Sequence, residues 1–127
     1  MRWRGAMLDI SRHYFDAGFI KKTLSALAIF DYNTLHLHLT DDQGWRLESK
    51  VFPLLHEVGS VRRHSQNNHG LLEPTYDGKE HSGYLTHEDV REIISHATAL
   101  GMQVVPEINI PGHTGALLAA YPQFGIN

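Results

Sequence analysis

The residues of this chain able to do chemistry fall in a few tight groups: Asp9 with Arg12, His36 with His38, Asp41 with Asp42, and Glu107 with His113. Arg12 carries a planar fork of donors, suited to vicinal hydroxyls, carboxylates or phosphates, or simply to pairing with Asp9 or Asp41. If Asp41 and His113 are neighbours, the carboxylate fixes the imidazole tautomer and favours the imidazolium. The other ring nitrogen is then left to orient a third catalytic group. His36 and His38 share one face of a strand and can hold a metal if carboxylates complete the site, but every alternating strand offers that spacing. Trp3 and Trp45 offer flat faces to a sugar ring and serve equally well in a core. Glu88-Asp89 reads as a helix-start pair interacting with the helix dipole. No two carboxylates are clearly placed as the acid and partner of hydrolysis, and the Gly-x-Ser-x-Gly, phosphate-loop and zinc-helix motifs are absent.

The elements that must position these groups alternate. Gly5 to Ile10 is a short apolar run consistent with a buried strand. Asp16 is the N-cap of a helix whose inner face is Ile20, Leu24, Leu27 and Ala28. Leu35 to Thr40 then alternates Leu with polar residues, the period of a strand, and runs into Asp41-Asp42. A short helical piece starts at Pro53-Leu54-Leu55. Gly59 to Gly83 is a polar loop with a turn at Tyr76-Asp77-Gly78-Lys79; a loop this long is usually functional or disordered. Thr86 to Asp89 resembles a capping box, Val90, Ile93, Ile94 and Ala97 make a second helix stripe, and Gly101 stops it. Met102 to Val105 is the third strand, and Thr114 to Tyr121 begins a third helix, which Pro122 halts. This α/β order predicts a parallel sheet with helices outside. Three strands fit either an open doubly wound sheet or a (β/α)8 barrel. In a barrel, chemistry sits where strands meet the following loops. Asp9 and Arg12, Asp41 and Asp42, and Glu107 and His113 all stand there.

The 127 residues suffice for one core, and 42% hydrophobic with 20% charged residues is the balance of a globular domain. A net charge of -3 gives no electrostatic case for nucleic acid or an anionic membrane. No apolar run of about 18 residues and no signal-like opening indicates a membrane span or secretion. The absence of cysteine excludes thiolate chemistry and leaves the compartment open. Both ends read as cut, so the chain is expected to be part of a larger domain.

Three segments together resemble glycoside hydrolase family 20, the β-N-acetylhexosaminidases. They are Arg4-Gly5-Ala6-Met7-Leu8-Asp9-Ile10-Ser11-Arg12-His13, His36-Leu37-His38-Leu39-Thr40-Asp41-Asp42-Gln43-Gly44-Trp45-Arg46 and Pro106-Glu107-Ile108-Asn109-Ile110-Pro111-Gly112-His113. Gly83-Tyr84-Leu85-Thr86 matches as well, and the likeness runs in order over nearly the whole chain. The resemblance implies the (β/α)8 TIM barrel, with about the first three βα units present, and cleavage of terminal N-acetylglucosamine or N-acetylgalactosamine from glycans. It implies no cofactor and no metal. The substrate's own acetamido carbonyl attacks the anomeric carbon, an exception to the two-carboxylate scheme. The family's acid Glu and the Asp before it lie in a later motif that this chain does not contain, so the 127 residues alone are expected to be inactive. By resemblance Arg12 binds the 3- and 4-hydroxyls of the terminal sugar, and Asp41 with His113 relays to the acid. Asn109 departs from the pattern, which usually has Asp there. Two rival readings are a non-catalytic carbohydrate-binding relative and a metal-dependent hydrolase using His36 and His38.

Overall fold

The computed structural model describes residues 1–68 and 73–126; the centre of the predicted long loop, 69–72, lies outside the described residues, as does Asn127. Three parallel strands form the sheet: β1 (Gly5–Asp9), β2 (Thr34–His38) and β5 (Gln103–Glu107), in the order β1-β2-β5. Between them run α1 (Ala17–Ile29), the two-residue strands β3 (Thr40–Asp41) and β4 (Gly44–Trp45), α2 (Leu54–Glu57) and α3 (His87–Ala99). The short α4 (Gly115–Ala120) follows β5.

Local chemistry accounts for the helix ends. Asp16 Oδ1 accepts the Phe19 N–H at 2.8 Å and starts α1, as read from the sequence. Thr86 and Asp89 exchange side-chain-to-backbone bonds in a full capping box at the start of α3, Asp serving where Glu or Gln is usual. Both helices turn their apolar stripes, Ile20 and Leu24 on α1 and Ile93 and Ala97 on α3, onto one face of the sheet. Leu35 and Leu37 of β2 meet them there, with Ile10, Leu39, Leu85 and Met102 completing the core. Each Leu, Ile or Met side chain here contributes about 1.5–3 kcal/mol when fully buried.

The opposite face has no such cover. Met7 and Val105 flank His36 on it and remain exposed. A parallel sheet is ordinarily covered on both faces.

Two strand boundaries differ from the sequence reading. The Leu35–Thr40 strand is broken at Leu39, because Thr40-Asp41 leaves the sheet to pair antiparallel with Gly44-Trp45. The third strand passes through Pro106 to Glu107, which an edge strand tolerates because a ladder runs along only one of its sides. The described parts of the predicted loop fold into an arm. Arg62 pairs with His81 and Gln66 with Tyr76 in antiparallel bridges. Asp77 Oδ1 accepts from the backbone of Ser65 and Lys79, which shapes the turn at Gly78. Among the described residues, no helix is long and apolar enough to cross a membrane.

Candidate active site

Parallel register sets the site. Asp9, His38 and Glu107 are partners across β1, β2 and β5, so three ionisable side chains stand abreast at the carboxyl ends of the strands. His38 is 6% exposed and uses both ring nitrogens: Nδ1 is 2.6 Å from Glu107 Oε2, and Nε2 is 2.8 Å from Asp41 Oδ2. The same Glu107 oxygen lies 2.6 Å from His36 Nε2.

Asp41, 1% exposed, is where these contacts converge. Its Oδ2 lies 2.8 Å from Arg12 Nη2 as well as from His38. Its Oδ1 accepts the Asp42 N–H at 2.8 Å and faces His113 Nδ1 at 3.2 Å. Asp42 shares that imidazole nitrogen at 3.1 Å and accepts the Gly115 N–H at 2.9 Å, tying the turn after β3 to the start of α4. His113 adopts φ 52, a left-handed conformation uncommon outside glycine, with its ring nitrogen held between the two carboxylates.

The tight β3–β4 turn that presents Asp41 and Asp42 depends on Gly44. A Cβ there would stand 2.4 Å from Arg46 Cζ. Ser11, fully buried, donates to the Gly44 carbonyl at 2.6 Å and fastens this turn to the loop carrying Arg12.

Arg12 bridges Asp9, at 2.6 Å through Nη1, and Asp41. The bond to Asp9, opposed by burial and helped by Asp41, raises the guanidinium pKa. Burial pushes the Asp9 carboxyl up, but the Arg12 side-chain and backbone bonds outweigh it, and its pKa is lowered. Burial likewise pulls His38 down, and its bonds to Glu107 and Asp41 overcome that, leaving it raised.

The three residues singled out from the sequence, Arg12, Asp41 and His113, are thus brought together. The pairings of Arg12 with both Asp9 and Asp41 are present, and His113 is shared with Asp42, a partner the sequence reading did not supply. The histidine pair does not form a metal set with these carboxylates. Among the described residues, the ionisable groups close enough to share a cation are Asp41, Asp42 and His113, without His36 or His38. Sequence reasoning also missed the Glu107–His38–Asp41 chain. Its available signal was the ending of two adjacent parallel strands in His38 and Glu107.

A cleft of about 590 Å³ opens beside the site, between Arg12, Asp42 and Gln43 on one wall and Arg62, His64 and Tyr76 of the arm on the other. Neither Trp lines it. Trp3 lies over Gly5 at the amino end of β1, and Trp45 donates through Nε1 to the Leu47 carbonyl. At Asn109 the backbone N–H, rather than the side chain, holds Thr40 Oγ1 at 2.8 Å, so the contact does not need the usual Asp.

The family model for the catalytic domain of glycosyl hydrolase family 20 matches residues 1–127. The chain is 41% identical over 125 residues to a beta-hexosaminidase of Vibrio furnissii, covering 97% of this chain and 20% of that protein. It superposes on the crystal structure of a beta-N-acetylhexosaminidase with a TM-score of 0.87 at 43% identity, over 96% of this chain and 24% of that one. For the exo beta-N-acetylglucosaminidase of Vibrio harveyi in complex with N-acetylglucosamine the TM-score is 0.86 at 36% identity, over 99% and 19%. The chain therefore spans about a fifth to a quarter of the length of these relatives.

Proposed function

Since this chain belongs to glycosyl hydrolase family 20, we propose that it is part of the (β/α)8 catalytic barrel of a β-N-acetylhexosaminidase. The protein would remove terminal N-acetylglucosamine or N-acetylgalactosamine from glycans by substrate-assisted retaining catalysis. The observation that carries this reading is the convergence of Arg12 and His113 on the buried carboxylate of Asp41, at 2.8 and 3.2 Å.

Each residue then has a task. Arg12, held by Asp9 and Asp41, turns its planar donors to the 3- and 4-hydroxyls of the terminal sugar. Asp41 fixes the tautomer of His113 through Nδ1, and Nε2 is left to address the acid that protonates the leaving oxygen. That acid, and the carboxylate orienting the acetamido group, come from the remainder of the protein. The acetamido carbonyl supplies the nucleophile, so two carboxylates about 5 Å apart are not needed.

The uncovered face of the sheet fits a barrel whose other strands close over Met7, His36 and Val105. Without them β1 and β5 each present an unpaired edge. The isolated 127 residues are therefore expected to neither melt cooperatively nor turn over substrate.

The deciding experiment assays the intact protein on 4-nitrophenyl N-acetyl-β-D-glucosaminide against the corresponding glucoside. Release from the first and not from the second is expected. No release from either, with the sugar still bound, would replace the enzyme by a carbohydrate-binding relative.

A further inference from the structure

Resting on the pairing of Asp41 with His113 proposed above, we infer that His38 is a further positioning residue of the site: an imidazolium held between Glu107 and Asp41 that keeps Asp41 ionised. The argument is one of proton counting. A neutral imidazole has one N–H and one bare nitrogen, so it donates to a single acceptor. Here each ring nitrogen lies at hydrogen-bond distance from a carboxylate oxygen, 2.6 Å to Glu107 and 2.8 Å to Asp41. With both carboxylates ionised, both bonds form only when the ring carries both protons.

The surroundings favour that state. Asp9 stands beside His38 on β1, Glu107 on β5 and Asp41 on β3, while Arg12 is the permanent cation among them. His36 reaches the same Glu107 oxygen from one side, and His113 and Asp42 lie beyond Asp41 on the other. A charged His38 offsets the excess of carboxylates, and its attraction is strongest to Asp41, since the two are nearly buried, at 6% and 1% exposed. The raised pKa of His38 and the lowered pKa of Glu107, to which their mutual bond is the leading favourable contribution, agree with this.

The consequence reaches the reacting end. Cationic donors from Arg12 and His38 occupy Asp41 Oδ2, and Oδ1 is left for the Asp42 N–H and His113. Asp41 then orients His113 without taking its proton.

The test uses the intact protein labelled with 15N-histidine, the His38 resonances being identified by their loss in H38Q. Both ring nitrogens are expected at imidazolium positions at pH 7, and at the neutral pattern at the same pH in E107Q. On an aryl N-acetyl-β-hexosaminide, the acid limb of kcat/KM is expected to move up by about one pH unit in H38Q and in E107Q. In either variant the carboxylate cluster loses a neighbouring cation, and a cluster of like charges takes up its first proton at a higher pH. The double variant is expected to shift no further than either single one. A neutral ring at pH 7 overturns the inference, and so does an unmoved acid limb with merely lower activity, which makes His38 a structural residue. If H38Q fails to fold, E107Q gives the kinetic readout, and wild-type spectra at pH 7 show the presence or absence of the doubly protonated signal. The spectra need no turnover: a protein that cleaves nothing defeats the proposed function, while the protonation of His38 is still decided.

Discussion

Arg46 Nε donates to the Ser11 carbonyl at 3.0 Å, so the residue before Arg12 is held by a guanidinium that solvent does not reach. Arg46 Nη1 donates to the carbonyls of Ser60 and Gly83, the two feet of the arm. Among the described residues no carboxylate pairs with Arg46, and Nη2 has no hydrogen-bond partner. Burial, with repulsion from Arg62, pulls its pKa down to about 10.

Arg46→Ala should therefore destabilise the intact protein by about 3 kcal/mol or more, because three carbonyls lose their donor and a cavity opens. Arg46→Lys should recover little of that: an ammonium on a flexible stem cannot span all three acceptors. Urea unfolding of the two variants beside wild type checks this. An unchanged midpoint for Arg46→Ala would mean the guanidinium ties nothing together.

Gly83 has φ +138, and a Cβ on it would meet the Tyr14 ring at 2.3 Å. Gly83→Ala combines backbone strain with a clash and should cost about 2–4 kcal/mol. Tyr14→Ala in the same chain should return part of the loss, since only the clash disappears. The loss would come from more than packing, because Tyr14 OH also donates to the Tyr84 carbonyl at 3.0 Å. Thermal melts of both single variants and the double variant measure the coupling; strictly additive losses would contradict the contact.

Much of this architecture is legible in local sequence. The helix stripes, the Asp16 cap, the Thr86–Asp89 box and the turn at Gly78 all depend on residues a few positions apart. The ionisable rim at the strand ends is legible too, because parallel strands place their carboxyl ends together. Register is a different matter. That His38 lies opposite Glu107 depends on how β2 and β5 slide past each other across 69 residues, and periodicity carries no such information. From sequence the arm reads only as a long polar loop with one turn, because its pairings, Arg62 with His81 and Gln66 with Tyr76, involve polar residues that leave no apolar pattern. The burial of Arg46 is not legible either, because an arginine beside a tryptophan looks like surface. Its burial is created by segments contributed from three distant places.

Arg12 makes a prediction about activity rather than stability. Its two terminal nitrogens are held separately by Asp9 and Asp41, which sets the plane of the fork. In the intact protein, Arg12→Ala should lower kcat/KM on an aryl N-acetyl-β-hexosaminide by about a hundredfold or more, the scale of two charge-assisted bonds. Arg12→Lys should fall nearly as far, since a point charge cannot bridge both carboxylates and still present a planar face. Steady-state kinetics on both variants is the check, and an unchanged kcat/KM would remove Arg12 from the site.

The last prediction concerns pH and the arm. His81 Nε2 accepts the Tyr14 backbone N–H at 2.8 Å, which requires that nitrogen to be unprotonated. Burial first, then the charges of Arg62 and Arg46 and the neighbouring His13 ring, pull the His81 pKa down to about 4. An unfolded histidine titrates near 6.5, so on falling pH the unfolded chain takes up this proton before the folded one does. The stability His81 lends is thus fully present above about pH 6.5 and is lost as pH falls toward about 4. Amide exchange in the intact protein, corrected for the intrinsic pH dependence, should show protection of Tyr14 and of the Arg62–His81 bridge declining over that window. In His81→Gln the amide oxygen can still accept the Tyr14 N–H but does not titrate, so the decline should flatten. An equally steep decline in His81→Gln would assign the pH dependence to other groups.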